Sequence, residues 1–279
     1  MEKGIKKVLA HVFLCLMGIL MVYPLLWLFF SSFKSNNEIF SSLGLLPRQF
    51  TIEPYIKGWN GVGRYSFSEF FLNTFKIVIP SLVLILVSTT LVAYGFARFK
   101  FPMKKLLFTV MLSTLMLPAS VVIIPKYLLF RNLDWLDTYL PFIVPAAFAG
   151  SPFYIFLMVQ FLRGLPRELD ESAVLDGCSS FLILWKILLP LCKPALFSIG
   201  IFHFISAWND FFNVLIYISS VRNYTLALGL RMSIDGQSGD INWNQIMAMS
   251  VVTIVPCVLV FFFSQKYFVQ GIATSGLKG

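Results

Sequence analysis

The sequence predicts an all-α integral membrane protein with six transmembrane helices and both termini in the cytoplasm. Three observations carry that prediction. Only 13% of the 279 residues are charged and 58% are hydrophobic, whereas a soluble domain usually carries about 25% charged residues. Six runs are free, or nearly free, of Asp, Glu, Lys and Arg. Each is long enough for a bilayer core about 30 Å thick, which takes roughly 20 apolar residues per helix. Lysine and arginine, finally, collect in alternate connections between those runs.

The runs come in this order. Residues 8–33 form the first, after a basic start at Lys3, Lys6 and Lys7. That start resembles a signal peptide. The run, however, continues into Trp27, Phe29 and Phe30, lacks a small-x-small cleavage pattern and is followed by five more, so it reads as an uncleaved helix. Residues 77–97, 106–125 and 138–162 follow. The fifth run, 194–221, is broken only by Asp210, and 241–265 is the sixth. None has the strict two-residue alternation of a membrane β-strand. Pro118, Pro125, Pro145 and Pro152 mark kinks or helix ends, which membrane helices tolerate.

Charge orients the runs. Short loops rich in Lys and Arg stay in the cytoplasm. Arg98, Lys100, Lys104 and Lys105 stand between runs two and three with no acid among them. Arg163, Arg167, Lys186 and Lys193 stand between runs four and five, and Lys266 and Lys278 lie in the tail. The alternate loops are balanced: Arg131 against Asp134 and Asp137, Arg222 and Arg231 against Asp235 and Asp240. The net charge of +9 is thus a topology signal and not a nucleic-acid surface. Residues 34–72 and 219–243 become long outer segments.

The connection 163–193 is too polar to span and too long for a turn. Gly164 and Pro166 suit a helix start, and Glu168, Asp170 and Glu171 crowd its first turn, where the helix dipole favours anions. Leu165, Leu169 and Ala173 repeat at a spacing of four, giving an apolar stripe that suits a partner's groove, with Glu171 and Asp176 free to pair with basic residues. Gly177 fits a C-terminal cap, and Ser179 or Ser180 fits the N-cap of a second short helix. That helix places Phe181, Leu184, Trp185 and Leu188 on one side, and Pro190 and Pro194 end it and restart the chain. A membrane-surface helix usually has a basic polar face; this one is acidic, which favours docking to a protein.

Glu171-Ser172-Ala173, then Asp176-Gly177, then Ile187-Leu188-Leu189-Pro190 resemble the EAA loop of ABC importer permeases. The family pattern is E-A-A, three residues, G, nine residues and I-x-L-P, and the spacing here matches. Ser172 and Cys178 depart from the usual Ala, both remaining small. Ser32-Phe33-Lys34, Trp208-Asn209-Asp210-Phe211 and the tail from Lys266 through Gly271 to Gly279 extend the likeness to the smaller membrane subunit of maltose-type and multiple-sugar importers. The resemblance implies a type I importer transmembrane domain at 70–265, after an N-terminal helix and outer loop at 1–69 and before a tail at 266–279. It implies coupling to ATPase subunits through Glu171, Ser172, Ala173, Asp176, Gly177, Ile187 and Pro190. It also implies a second homologous permease, two cytoplasmic ATPases that hold the ATP and Mg, an extracellular or periplasmic sugar-binding protein, and residence in a bacterial or archaeal plasma membrane. No G-x-x-x-x-G-K-[ST] loop is present, in keeping with ATP chemistry on another chain. Segments 224–243 and 270–279 are contact candidates for the binding protein and the ATPases.

Asp210 is an acid within a run, which by default suggests function. It either sits at the water boundary, caps a helix break, or lines a substrate pathway with Trp208 as a sugar-stacking face and Asn209 as a hydrogen-bonding group. His11 and His203 are isolated, and Cys15, Cys178, Cys192 and Cys257 have no CxxC spacing; packing explains them, and disulfides are not expected. A membrane enzyme would need convergent His, Asp or Cys. A secondary transporter would typically carry acids in matching halves. Neither pattern is present, so the rivals are an importer permease for a non-sugar solute and, behind it, a secondary transporter.

Overall fold

The computed structural model describes residues 2–42, 44–61, 63–235 and 241–276. Every regular element among them is helical. In chain order these are α1 (Glu2–Ser31), α2 (Asn36–Ser41), α3 (Glu53–Trp59), α4 (Phe67–Arg98), α5 (Lys104–Ser113), α6 (Ala119–Asn132), α7 (Leu140–Ala147) and α8 (Pro152–Gly164). They continue with α9 (Glu168–Leu175), α10 (Ser180–Leu182), α11 (Leu189–Leu191), α12 (Lys193–Trp208), α13 (Phe212–Tyr217), α14 (Leu226–Asp235) and α15 (Trp243–Gly276).

Four stretches are long and apolar enough to cross a bilayer alone: Lys6–Ser31, Phe67–Arg98, Leu140–Gly164 and Trp243–Gln265. Two more qualify only as bent pairs. Lys104–Met116 meets Ala119–Asn132 at 105°, and Ser180–Leu191 meets Lys193–Trp208 at 77°. The third apolar run is therefore broken in the middle. Leu117 is extended, at φ −76° and ψ 121°, because the ring of Pro118 excludes the α conformation from the residue before it. The fourth run also has a step, with Ala149 at φ 53° and the Gly150 N–H donating back to the Pro145 carbonyl at 3.1 Å. The fifth stops at Trp208 and does not run on to 221.

The packing forms two compact units. Met1–Phe70 with Leu226–Pro256 is one; Phe71–Thr225 with Cys257–Gly279 is the other. In the first, the most apolar eighteen-residue window of α1 has no buried residue, so its side chains are left for lipid or another chain. Lys34 is fully buried, and its ammonium donates to the Gly44 carbonyl. The Asn36 amide donates to Ile241 O at 3.0 Å, and Gly229 leaves room for Phe70, whose ring would lie 2.3 Å from any Cβ there.

The second unit holds the larger core. Ala93, Tyr94 and Ala97 of α4 meet Met158, Val159 and Leu162 of α8. Ala173, Ile183, Leu184 and Leu188 belong to the same buried cluster. The polar connection 163–193 is thus built into the bundle's core along one face.

Candidate functional site

The connection folds as two helices about one glycine. α9 ends at Leu175 with Asp176 as its cap, and Gly177 takes φ +79°. The Cys178 N–H donates to Ala173 O at 2.9 Å and the Gly177 N–H to Val174 O at 3.0 Å. These are the paired bonds of a Schellman cap, which satisfy the last carbonyls of the helix. Nothing lies within 4 Å of a Cβ built on Gly177, so the demand for glycine there comes from the backbone, not from crowding. Ser179, rather than Ser180, is the next cap: its hydroxyl accepts from the Leu182 N–H at 3.3 Å. Ile183–Leu188 is π-helical and leads directly to Pro190. In a regular helix the proline ring would collide with the carbonyl four residues back, and a wider turn is one way to relieve this.

The last turn of α4 braces this element. Arg98 donates to Leu165 O at 3.2 Å, and Tyr94 Oη donates to Ser180 O at 3.0 Å. Arg98 Nε lies 3.1 Å from Asp170 Oδ2 with both side chains largely buried, an ion pair whose angle falls short of a hydrogen bond. Arg167 reaches the Ala97 carbonyl at 3.5 Å. One helix end therefore touches the element before, within and after α9.

The predicted coupling residues divide by exposure. Glu171, Ser172, Asp176, Gly177 and Pro190 face out, Ile187 is half-buried, and Ala173 is buried. The expected stripe of Leu165, Leu169 and Ala173 is not the free face, because Leu165 and Ala173 pack into the chain's own core. Val174 and Leu175 are exposed instead, Leu175 at 88%. The expected face of Phe181, Leu184, Trp185 and Leu188 also splits. Leu184 and Leu188 are buried, while Phe181 and Trp185 stay exposed and stack on each other at 6.3 Å. The segment is apolar nearly all round, so periodicity could not tell its inner side from its outer. The outward surface is thus four apolar side chains with Glu171 and Asp176 beside them.

The second candidate region lies where α12 stops. Asp210 Oδ1 accepts from the Asn213 N–H at 3.1 Å and starts α13, while the Asn213 amide contacts both carboxylate oxygens at 3.0 Å. The acid caps a break and also lines a cavity of about 220 Å³. Ser81 and His203, hydrogen-bonded to each other at 3.0 Å, share that cavity with Lys126, Tyr217 and Thr225. Trp208 and Asn209 are not among its lining residues. Trp208 is buried, stacked on Phe204 at 5.3 Å, with Phe71 and Phe75 against its ring. Asn209 turns its amide back to Ile205 O at 2.8 Å. The three residues grouped by sequence therefore separate, and only Asp210 reaches the cavity. His203, Ser81 and Thr225 were not signalled by any motif.

A loop clamp stands beside this region. Asp137 accepts from the Ser219 and Ser220 N–H groups at 3.1 and 2.8 Å and from the Ser220 hydroxyl. Its own N–H donates to Tyr217 O at 2.7 Å. Burial pushes its pKa up, but these hydrogen bonds outweigh that and hold it below the ordinary value. Of the two contact candidates, residues 236–240 of the segment 224–243 and 277–279 of the tail lie outside the described residues.

A multi-pass membrane protein with a capped, braced knob between two spans and a polar cavity in its bundle has the build of a transport subunit. Residues 70–274 match the family described as binding-protein-dependent transport system inner membrane component, and the chain belongs to that family. The diacetylchitobiose uptake system permease protein NgcG of Streptomyces coelicolor is 31% identical over 92% of this chain and 84% of its own length. The trehalose/maltose transport system permease protein MalG of Thermococcus litoralis is 31% identical over 100% of this chain and 99% of its own. A chain from the crystal structure of a bacterial ABC transporter involved in the import of the acidic polysaccharide alginate superposes with TM-score 0.85, at 23% identity, over 96% of this chain and 98% of that one. The last likeness shows the fold.

Proposed function

We propose that this chain is a permease subunit of an ATP-driven ABC importer that takes up sugars, di- or oligosaccharides above all, by alternating access. The observation that carries this reading is the knob at 168–191. Its backbone is closed by caps and its apolar surface at Val174, Leu175, Phe181 and Trp185 is turned outward. Such a surface on a rigid support suits a partner's groove. The sugar assignment rests on the relatives, whose names specify diacetylchitobiose and trehalose or maltose.

In this reading each bent pair is one span, giving six, with both termini and the knob in the cytoplasm. Two ATPase subunits hold ATP and Mg, and one of them receives this knob through Glu171, Ser172, Asp176 and Gly177. Ala173 and Ile187 set the knob's shape from within, and Pro190 ends it on the outer side. A second homologous permease completes the conduit, an external binding protein delivers the sugar, and Asp210 belongs to the substrate pathway. Residues 1–69, 70–265 and 266–279 serve as entry helix with outer loop, transport domain and tail.

Uptake of a panel of labelled oligosaccharides in a strain deleted for this chain, with and without complementation, tests the reading. Restored ATP-dependent uptake of at least one sugar is the expected result. Complementation that restores none of the panel, or an ATPase subunit that fails to co-purify, overturns it.

A further inference from the structure

The start of α5 carries a cluster of cations that the fold does not neutralise. Lys104 and Lys105 open that helix, Arg163 lies in the last turn of α8, and Arg167 stands just before α9. Arg163 and Arg167 are close enough to act on the Lys104 charge, and like charges held together repel. Among the described residues none of the four forms an ion pair, although Glu168 directly follows Arg167. Uncharged groups fix three of them instead. The Lys104 ammonium donates to Phe99 O at 2.7 Å and lies 6.0 Å from the centre of the Phe101 ring. The Arg163 guanidinium lies 5.1 Å over the Phe108 ring, and Arg167 donates to the Ala97 carbonyl at 3.5 Å. Orienting a loop needs only that it contain such charges. It does not need them gathered and held.

What lies beside the cations names the ligand. α5 has no buried residue. Leu106, Leu107 and Val110 follow the two lysines within two turns and are exposed, as are Phe99, Phe101 and Met103 ahead of them. Cations at one end and apolar side chains from there on is the order of a phospholipid at the edge of a bilayer, with its phosphate at the boundary and its acyl chains inward. A free phosphate would meet the charges and leave the leucines bare, and so would an acidic protein surface. A guanidinium takes a phosphate through two parallel hydrogen bonds, and basic pockets between membrane helices hold lipid headgroups in this way.

We infer that the start of α5 and the end of α8 form a site for one anionic phospholipid, with Lys104 and Arg163 on its phosphate, Lys105 and Arg167 beside them, and its acyl chains along Leu106, Leu107 and Val110. The inference goes beyond the import reading, because it concerns what the chain takes from its membrane and not what it transports. It requires only that α5 begins at a membrane boundary.

The test uses the complex this chain forms in its own membrane, purified with its partners and stripped of lipid. Dioleoyl-phosphatidylglycerol or dioleoyl-phosphatidylcholine is added back, and bound lipid is read by native mass spectrometry. Phosphatidylglycerol should bind the more tightly. Lys104→Gln and Arg163→Gln should each weaken the first phosphatidylglycerol about fivefold, the weight of one cation near an anionic lipid, and leave phosphatidylcholine unchanged. Arg163→Lys should keep most of the binding. If Lys104→Gln does not assemble, Lys105→Gln with Arg163→Gln gives the same readout. Equal binding of the two lipids overturns the site, and so does a preference that survives both Lys104→Gln and Arg163→Gln. An equal loss in Lys57→Gln, on α3, would make the effect one of net charge and also overturns it. Displacement of phosphatidylglycerol by inorganic phosphate would mark a site for a free anion. Loss of partner subunits from Arg163→Gln with the lipid preference intact would mark a protein contact. Either result overturns the lipid site.

Discussion

Two breaks in the helical bundle have opposite construction. At Gly177 the helix end is closed by two backbone hydrogen bonds within the loop, and Val174, Leu175, Phe181 and Trp185 are exposed. At Asp210 the backbone is capped by one carboxylate, which shares a cavity with Lys126, Ser81 and His203. The first break presents a surface, which fits the proposed docking; the second turns polar side chains on a cavity, which fits the proposed pathway. Both lie in the same compact unit, so the difference comes from residue choice and not from domain.

The largest way to break this contrast is Gly177→Trp. Holding a non-glycine residue in the left-handed region costs about 1–2 kcal/mol, and the indole would stand on the outward tip. Uptake should fall to background while membrane insertion is unchanged. Normal uptake in this variant would sink the docking reading. Gly177→Asn should retain most activity, since Asn tolerates the same conformation.

Arg98→Ala comes next. It removes the hydrogen bond to Leu165 O and leaves Asp170 without its cation. Losing one partner of a largely buried pair costs about 3 kcal/mol, measurable as a lowered unfolding midpoint of the solubilised complex. A shift indistinguishable from wild type would mean that the brace is idle.

Leu175→Ser should leave the unfolding midpoint alone, because the side chain is 88% exposed. It should weaken ATPase capture by about 1.5–3 kcal/mol, the value of burying one leucine, as read from subunit exchange. Unchanged affinity would move the docking face elsewhere.

Asp137→Asn is the smallest, about 1 kcal/mol of stability from weakened hydrogen bonds. Its pH dependence has a definite sign. The folded pKa lies below the ordinary 3.8, so the carboxylate's contribution is present above that value and is lost as pH falls through the folded pKa. The difference between wild type and variant should hold from neutral pH down to pH 3.8 and shrink only below it. A difference that vanishes near neutrality would exclude Asp137 as its source.

The apolar runs and the knob's spacing were legible because each is a matter of composition or of count along the chain. The breaks were legible in part. Pro118 stood in the sequence as a kink or helix end, and Asp210 as a possible cap. What escaped was facing. α12 is apolar on all sides, so nothing along it says that Trp208 packs among Phe71, Phe75 and Phe204 while Asp210 reaches a cavity. Tyr94 and Arg98 escaped for another reason. They are about 70–90 residues from the groups they hold, and no local pattern encodes a pairing at that distance.

α4 has a further consequence. Thr74, Ile77 and Ser81 are part of the cavity wall, and Tyr94 and Arg98 are the brace on the knob. Ser81 and Tyr94 lie about 20 Å apart along the axis at 1.5 Å per residue, with no proline or glycine between them. One continuous rod therefore has a tooth at each end. A displacement of the knob passed through this brace would reach the cavity wall along a single helix.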